Sequence, residues 1–340
     1  MLERYFAIDE KRSCSLHHIA SHVDAGREDP ASLSQDKLWE LHLRLLGAAH
    51  SLAAAAAGDM PARPVTSLLD VKKELARRIL RECRFCERRC GADRGGSEKG
   101  WCGVGAQPMV SSDFLHMGEE PELVPSHTIF FSGCTFACAY CQNWDTAMHP
   151  SSGRPADPRE LAASLREGLA QGSRNVNFVG GDPDPDLHVI LETLTLLGED
   201  GAFLPAVWNS NTYASAETMS LLEGVIDVHL ADFRYGNDDC AKELSEVDDY
   251  MRVVTRNLRA AFDTSEVMIR HLVLPGHIDC CTRPLMEWTA GSLPGVYFNL
   301  MFQYRPAYRA GLFPGMDRRL TREERSKALS IAADCGLAQV

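Results

Sequence analysis

No stretch of the 340 residues approaches the roughly 18 consecutive apolar residues that a membrane-spanning helix needs. The longest run of small apolar residues, Leu52 to Ala57, is far too short. The first twenty residues carry Glu3, Arg4, Asp9, Glu10, Lys11 and Arg12 and lack a clean apolar core, so no secretory leader is expected. Basic charge is also scarce: 35 Lys and Arg stand against 47 Asp and Glu, for a net charge of −12. That balance disfavours sequence-independent binding to nucleic acid, which runs on Lys and Arg contacts to phosphate. These absences predict a soluble, cytoplasmic protein with no membrane partner. The composition, 45% apolar and 24% charged, excludes collagen-like, disordered and small disulfide-scaffold classes. The length suits one large domain or two ordinary ones.

Cysteine, by contrast, is abundant, with 12 residues. In a cytoplasmic chain, clustered cysteines are more often metal ligands than disulfides. Cys83, Cys86, Cys90 and Cys102 form one tight group, and Cys134, Cys138 and Cys141 another. Cys14, Cys240, Cys280, Cys281 and Cys335 stand outside both. These five read as structural thiols, although the adjacent Cys280 and Cys281 follow a strand and could face a cavity.

The chain divides into three parts. Residues 1–65 form an N-terminal extension, polar over 1–33 and either loosely ordered or wrapped on the body. It then becomes helical over 34–57, with Leu38, Leu41, Leu45, Ala48, Ala49 and Leu52 on one face and Gly58 as a stop. Residues 66–126 begin with a helix over 66–82 and continue into the four-cysteine segment. The far face of that helix carries Lys72, Lys73, Arg77, Arg78 and Arg81, a solvated stripe or a docking surface for an acidic partner. Residues 127–340 alternate short β-rich runs with helices. The predicted strands are 128–132, 175–179, 204–208, 225–230, 267–273 and 296–302. The predicted helices are 158–171, 186–198, 215–223, 244–262, 282–291 and 321–335. Six βα repeats predict an α/β fold with parallel strands, either a partial (β/α)6 barrel or a doubly wound sheet.

The unusual residues fall at the carboxyl ends of these strands, where parallel α/β folds build their sites. Cys134-x3-Cys138-x2-Cys141 follows the first strand and Gly180-Gly181-Asp182-Pro183 the second. Asn209-Ser210-Asn211 follows the third, and Asp232-Phe233-Arg234 ends the fourth. Arg270, His271 and Pro275-Gly276-His277 lie at the end of the fifth, and Gln303 follows the sixth.

Three thiolates on one short loop can hold three corners of a [4Fe–4S] cluster and leave the fourth iron open. A zinc ion with a distant fourth ligand is the alternative. The four thiols of Cys83, Cys86, Cys90 and Cys102 suit either zinc or a second iron–sulfur cluster, and spacing does not separate the two.

The CxxxCxxC loop, with aromatic Tyr140 before its last cysteine, resembles the radical S-adenosylmethionine (SAM) superfamily. Gly118-Glu119-Glu120-Pro121, Cys141-Gln142-Asn143-Trp144, Asp232-Phe233-Arg234-Tyr235-Gly236 and Arg270 to His277 extend the resemblance over residues 66–337. They resemble the branch related to pyruvate formate-lyase activating enzyme. The resemblance implies that the open iron chelates SAM, and that reductive cleavage gives methionine and a 5′-deoxyadenosyl radical that abstracts hydrogen. It further implies that Gly180, Gly181 and Asp182 receive the SAM ammonium and that Asn209 and Ser210, with Asn211, contact SAM. By the same likeness, Asp232 helps hold a monovalent cation beside the SAM carboxylate, Arg234 contacts SAM or substrate, Arg270, His271 and the Pro275-Gly276-His277 turn line the adenosyl pocket, and Gln303 contacts SAM. It implies a low-potential reductant such as flavodoxin or ferredoxin. Two departures set this chain apart: 133 residues precede the CxxxCxxC loop, and the ferredoxin-like insertion after it is missing.

The reading is thus an enzyme, an oxidoreductase of activating-enzyme-like type, acting on a peptide, protein or small-molecule substrate. The competing reading is an iron–sulfur or zinc protein that carries electrons or mediates contacts without cleaving SAM.

Overall fold

The computed structural model describes residues 2–55, 60–199 and 204–337. The polar opening of the chain is wrapped on the body. Helix α1 (Glu3–Asp9) buries Tyr5 and Ile8, and α2 (Leu16–His22) buries Leu16 and Ile19. Helix α3 (Gln35–Ala55) buries Leu38, Leu45, Leu46 and Ala49, close to the predicted face. The predicted end of that helix, Ala56 to Gly58, lies outside the described residues. Helix α4 (Leu68–Ile79) starts at a capping motif in which the Ser67 amide donates to Asp70 at 2.9 Å.

The basic stripe of α4 is only partly solvated: Arg77 and Arg81 are exposed, while Lys72 turns inward. Lys72 is fully buried, and its ammonium reaches the carbonyls of Ser220, Leu221 and Glu223 at 2.8–3.1 Å and His42 Nε2 at 2.9 Å. Lys73 pairs with Asp70 and Glu192, and Arg77 and Arg78 share Glu74. A buried ammonium is tolerated only when its donors are satisfied, and here four acceptors surround it. The charges fasten α4 to its neighbours.

Strand β1 (Met109–His116) runs antiparallel to β2 (Ser126–Phe131). After the short α5 (Trp144–Ala147), the two-residue β3 (Arg154–Pro155) pairs with β1. The repeats follow as α6 (Pro158–Ala170), β4 (Asn175–Gly180), α7 (Leu187–Glu199), β5 (Ala206–Ser210), α8 (Ala216–Leu222) and β6 (Val228–Asp232). They continue as α9 (Asp238–Ser245), α10 (Tyr250–Thr264), β7 (Glu266–Leu272), α11 (Arg283–Ser292), β8 (Tyr297–Met301) and α12 (Arg322–Asp334). Side-chain caps at Asp157, Ser215 and Thr321 set the starts of α6, α8 and α12. The sheet order is β3-β1-β2-β4-β5-β6-β7-β8, and β2 with β4 to β8 are the six predicted parallel strands. The predicted helix over 244–262 is two helices, because Glu246 (φ 55°) and Asp249 (φ 50°) turn left-handed between α9 and α10.

The sheet is open at β3 and β8, yet it curls. The loop after β2 meets the chain after β8, where Arg309 N donates to Ala139 O at 2.8 Å and Tyr140 packs 6.1 Å from Tyr304. The β1–β2 connection also reaches β8: Asn299 donates to Glu120 at 2.9 Å, and the Tyr297 hydroxyl to Glu122 at 3.0 Å. The result is a partial (β/α)6 barrel.

Its underside, at the amino ends of the strands, is closed by the N-terminal helices. Glu266, first in β7, accepts from the amides of Arg4 and Tyr5 at 3.0 and 2.8 Å. Asp227, just before β6, accepts from the amides of Leu16 and Ala206, both at 2.9 Å. Leu2 and Tyr5 pack on Val207, Val228, Leu230, Met268 and Tyr297. The opposite, carboxyl mouth is left for the site.

Candidate active site

The loop after β2 is shaped by its neighbours. Ala137 N and Ala139 N donate to the carbonyls of Ser245 and Leu244, at 3.1 and 2.8 Å, so the loop rests on the carboxyl end of α9. Cys134, Cys138 and Cys141 thereby line one cavity of about 230 Å³. The Cys134 sulfur accepts from Phe136 N at 3.4 Å and from Asn211 Nδ2 at 3.3 Å. The Cys138 sulfur accepts from the Ser245 hydroxyl at 2.9 Å. Burial raises all three thiols, Cys134 well above its ordinary value and Cys141 to about 11. Such thiols stay protonated until a metal displaces the proton.

The donor set fits an iron–sulfur cluster better than one ion. A tetrahedral zinc with Zn–S near 2.3 Å holds sulfurs about 3.8 Å apart. The three sulfurs of this loop are not all within 4.8 Å of one another. Three splayed thiols beside a polar cavity suit a cluster with one iron left for another ligand.

The opposite wall comes from the ends of β4 to β8. Gly180, Gly181, Asn209, Ser210, Asp232, Arg234 and Arg270 all line the cavity, as the sequence predicts, and Asn211 joins them. A Cβ on Gly180 would lie 2.1 Å from Phe131 O, and one on Gly181 2.0 Å from Gly133 O. The two glycines therefore let β4 press against the cysteine loop itself.

The charged groups form one chain of contacts. Arg270 donates to Asp232 at 2.9 Å and to Asn209 at 2.5 Å, and lies 3.5 Å from Glu119. Arg234 donates to Asp232 and, at 2.9 Å, to Asn211, which in turn reaches Cys134. Burial works against the Arg270 and Arg234 charges, but Asp232 together with the other acidic groups around them (Glu120 and Glu119 for Arg270, Cys138 for Arg234) outweighs it, and both guanidinium groups are raised above their ordinary value.

Three residues singled out by the sequence lie outside the cavity lining. Asp182 does not line the cavity. It is buried, binds the Thr135 hydroxyl, accepts from Asn211 N at 3.2 Å and is pushed by burial to about 6. It ties the β4 end to the cysteine loop and the β5 end. Gln303 is exposed and outside the cavity, where Met301 lines it instead. His271 is held between Phe233 O and the Thr282 hydroxyl, both at 2.9 Å, and points away from Arg270, as alternate strand residues must. Neither the 275–277 turn nor Cys280 and Cys281 line the cavity.

Leu272, Met301, Phe136 and Met148 also line it and were not foreseen. The strand period would have given Leu272, two residues after Arg270 on the same face. At the rim, exposed Trp144 stacks on Tyr308 at 5.9 Å.

The four upstream cysteines lie against this site. Residues 85–87 pair with 213–215, just after β5. Arg88 donates to Thr135 O at 2.5 Å and to Glu246 O at 2.7 Å, and stacks on Trp101. The Cys102 carbonyl lies 3.0 Å from where a Cβ on Gly133 would be. Among the described residues, no three of the Cys83, Cys86, Cys90 and Cys102 sulfurs are mutually within 4.8 Å. Buried Arg94 has a guanidinium nitrogen 3.6 Å from the Cys83 sulfur.

No helix of the described residues is long and apolar enough to cross a membrane. A relative from Methanocaldococcus jannaschii, uncharacterized protein MJ0674, is 42% identical over 338 residues, covering 97% of this chain and 96% of the relative. Among solved structures, a radical SAM methyltransferase from Sphaerobacter thermophilus aligns with TM-score 0.46 and 17% identity, over 65% of this chain and 67% of that one. A domain of pyruvate-formate lyase-activating enzyme from Bacteroides vulgatus aligns with TM-score 0.39 and 18% identity, over 49% of this chain and 97% of that one. The sequence model of the Radical SAM superfamily matches residues 128–289, which hold the three-cysteine loop and five of the six parallel strands. This chain belongs to the radical SAM superfamily.

Proposed function

We propose that the chain is a radical SAM enzyme whose [4Fe–4S] cluster is held by Cys134, Cys138 and Cys141, with SAM in the cavity beside it. The observation that carries this reading is the sharing of one cavity by the three thiols and the Asn209–Arg270–Asp232–Arg234–Asn211 chain. When bound, the cluster supplies the electron that splits SAM into methionine and a 5′-deoxyadenosyl radical able to take hydrogen from a substrate.

The protein groups do the positioning. The zwitterionic end of SAM needs an acceptor for its ammonium and a donor for its carboxylate, and Asp232 and the two arginines offer both. Their mutual bonds fix these groups before SAM arrives, so little ordering is left for binding. Phe136, Met148, Leu272 and Met301 give the cavity an apolar wall facing its polar groups, which helps shield a reactive intermediate from water.

The upstream set is read as a second iron–sulfur cluster, four soft thiols set against the three-cysteine loop at Gly133, with zinc as the alternative. Its contact with Gly133 makes it a natural relay for an electron from a reductant such as flavodoxin or ferredoxin. With Lys72 buried, only the exposed Arg77 and Arg81 of the α4 stripe remain to support a peptide or protein substrate. An oxidoreductase of activating-enzyme type rests on the sequence likeness alone.

The test is 5′-deoxyadenosine formation by anaerobically reconstituted, reduced protein given SAM, beside a variant with Cys134, Cys138 and Cys141 all changed to Ala. Product from the native chain alone supports the reading. An intact, reducible cluster whose spectrum ignores SAM, with no product, overturns it and leaves an electron carrier.

A further inference from the structure

A second convergence of soft donors lies outside the cavity and outside both cysteine groups. Cys240 stands in the first turn of α9, and His277 lies in the turn after β7. Cys280 and Cys281 sit in a single π-helical turn over 278–282 that leads into α11. Among the described residues, this is the one set of at least three candidate ligands whose donor atoms all lie within 4.8 Å of one another.

The spacings are those of a coordination tetrahedron. Metal–sulfur bonds of about 2.3 Å and metal–nitrogen bonds of about 2.0–2.1 Å at tetrahedral angles give edges near 3.8 Å for S···S and 3.5 Å for S···N. Cys240 Sγ and Cys280 Sγ are 3.8 Å apart. His277 Nδ1 is 3.5 Å from Cys240 Sγ and 3.4 Å from Cys280 Sγ. A disulfide would need the sulfurs about 2.05 Å apart, and all these cysteines are free.

The surrounding chain is built to hold the four together. A Cβ on Gly236 would lie 2.5 Å from the Cys281 carbonyl oxygen, so a glycine there lets the 278–282 turn press on the start of α9. Asn237 caps α9 by accepting from Cys240 N at 2.8 Å, and donates its side-chain N–H to Cys280 O at 2.6 Å. The same nitrogen lies 3.3 Å from Cys240 Sγ and 3.7 Å from Cys281 Sγ. Donors aimed at ligating sulfurs are how proteins steady a thiolate-rich centre.

We propose that Cys240, His277, Cys280 and Cys281 form a closed, structural zinc site. Three thiolates and one neutral imidazole make a Cys3His donor set, and four protein ligands leave no open position for chemistry. Binding releases the three thiol protons to water. The ion clasps the amino end of α9 to the β7–α11 connection. The other end of α9 carries Ser245, which bonds the Cys138 sulfur, so the clasp fixes the helix on which the three-cysteine loop rests.

The test is metal analysis of the full-length chain produced with iron and zinc and purified anaerobically. About one zinc per chain is expected, retained when Cys83, Cys86, Cys90 and Cys102 are changed to Ser and lost from the C240S/C281S double variant. Should that double variant fail to fold, X-ray absorption at the zinc edge of the native chain gives the answer. Three sulfur neighbours and one nitrogen support the site. Four sulfur neighbours place the zinc elsewhere and overturn it. A native chain without zinc that also shows no thiolate-to-cobalt charge-transfer band after cobalt loading overturns it too. So does recovery of a Cys240–Cys280 disulfide from the anaerobic preparation.

Discussion

Asn211 donates its side-chain N–H to the Cys134 sulfur at 3.3 Å while its carbonyl oxygen accepts from Arg234 at 2.9 Å. One amide thus couples the anionic side of the site to its cationic side. Changing Asn211 to Leu keeps the volume and removes both bonds. The expected result is a loss of SAM cleavage of about 10–100-fold, with iron content retained. Iron analysis beside the 5′-deoxyadenosine rate checks it, and an unchanged rate would show that the coupling is idle.

Gly181 has no room for a methyl group. A Cβ there would sit 2.0 Å from Gly133 O and 2.9 Å from Cys134 Cβ, and backbone cannot step aside as a flexible side chain can. Gly181→Ala is expected to cost about 1–3 kcal/mol in stability and to lower cluster occupancy. Gly198→Ala, near the end of α7, is the control, since a Cβ there meets nothing within 4 Å among the described residues. Equal iron loading and equal unfolding midpoints for the two variants would defeat the argument.

Acid should loosen the fold through its buried histidines. Burial holds His17, His229 and His271 down at about 4. A folded-state value below the unfolded 6.5 means the neutral rings favour folding above that pH, and the advantage fades as pH falls toward about 4. Each ring is worth up to about 3 kcal/mol across that window. Urea unfolding of the metal-loaded chain between about pH 7 and about pH 5 should show falling stability, with a shallower fall for His17→Gln. Parallel slopes for the two proteins would contradict the assignment of His17.

Much of this was legible from spacing. The β2 and β4 to β8 strands are where alternating runs of apolar and helical residues put them, because central parallel strands are buried on both faces and read as continuous apolar segments. Strand β1 escaped notice because Ser111, Ser112 and Asp113 break its pattern, and it is held by antiparallel pairing with β2 rather than by burial. The break between α9 and α10 carries no glycine to announce it. At the site, most residues singled out at strand ends line the cavity, whereas Asp182 and Gln303 do not. Sequence shows which strand end a polar residue follows, and which way its side chain turns depends on contacts made far along the chain. Lys72 illustrates the same limit: its acceptors are carbonyls of Ser220, Leu221 and Glu223, invisible as letters. The Cys240 to Cys281 group spans two βα units, and only the folded sheet brings its halves together.

The seal under the barrel sets an order on the making of this protein. Arg4 and Tyr5 leave the ribosome long before Glu266, the residue that receives their amides, 262 and 261 positions later. Until β7 has been translated, α1 has no carboxylate to cap it, and Leu2 and Tyr5 have only part of the recess they fill. Helix α1 can therefore meet Arg174 and Asn175 once β4 is made, but its amides wait for β7 to be capped.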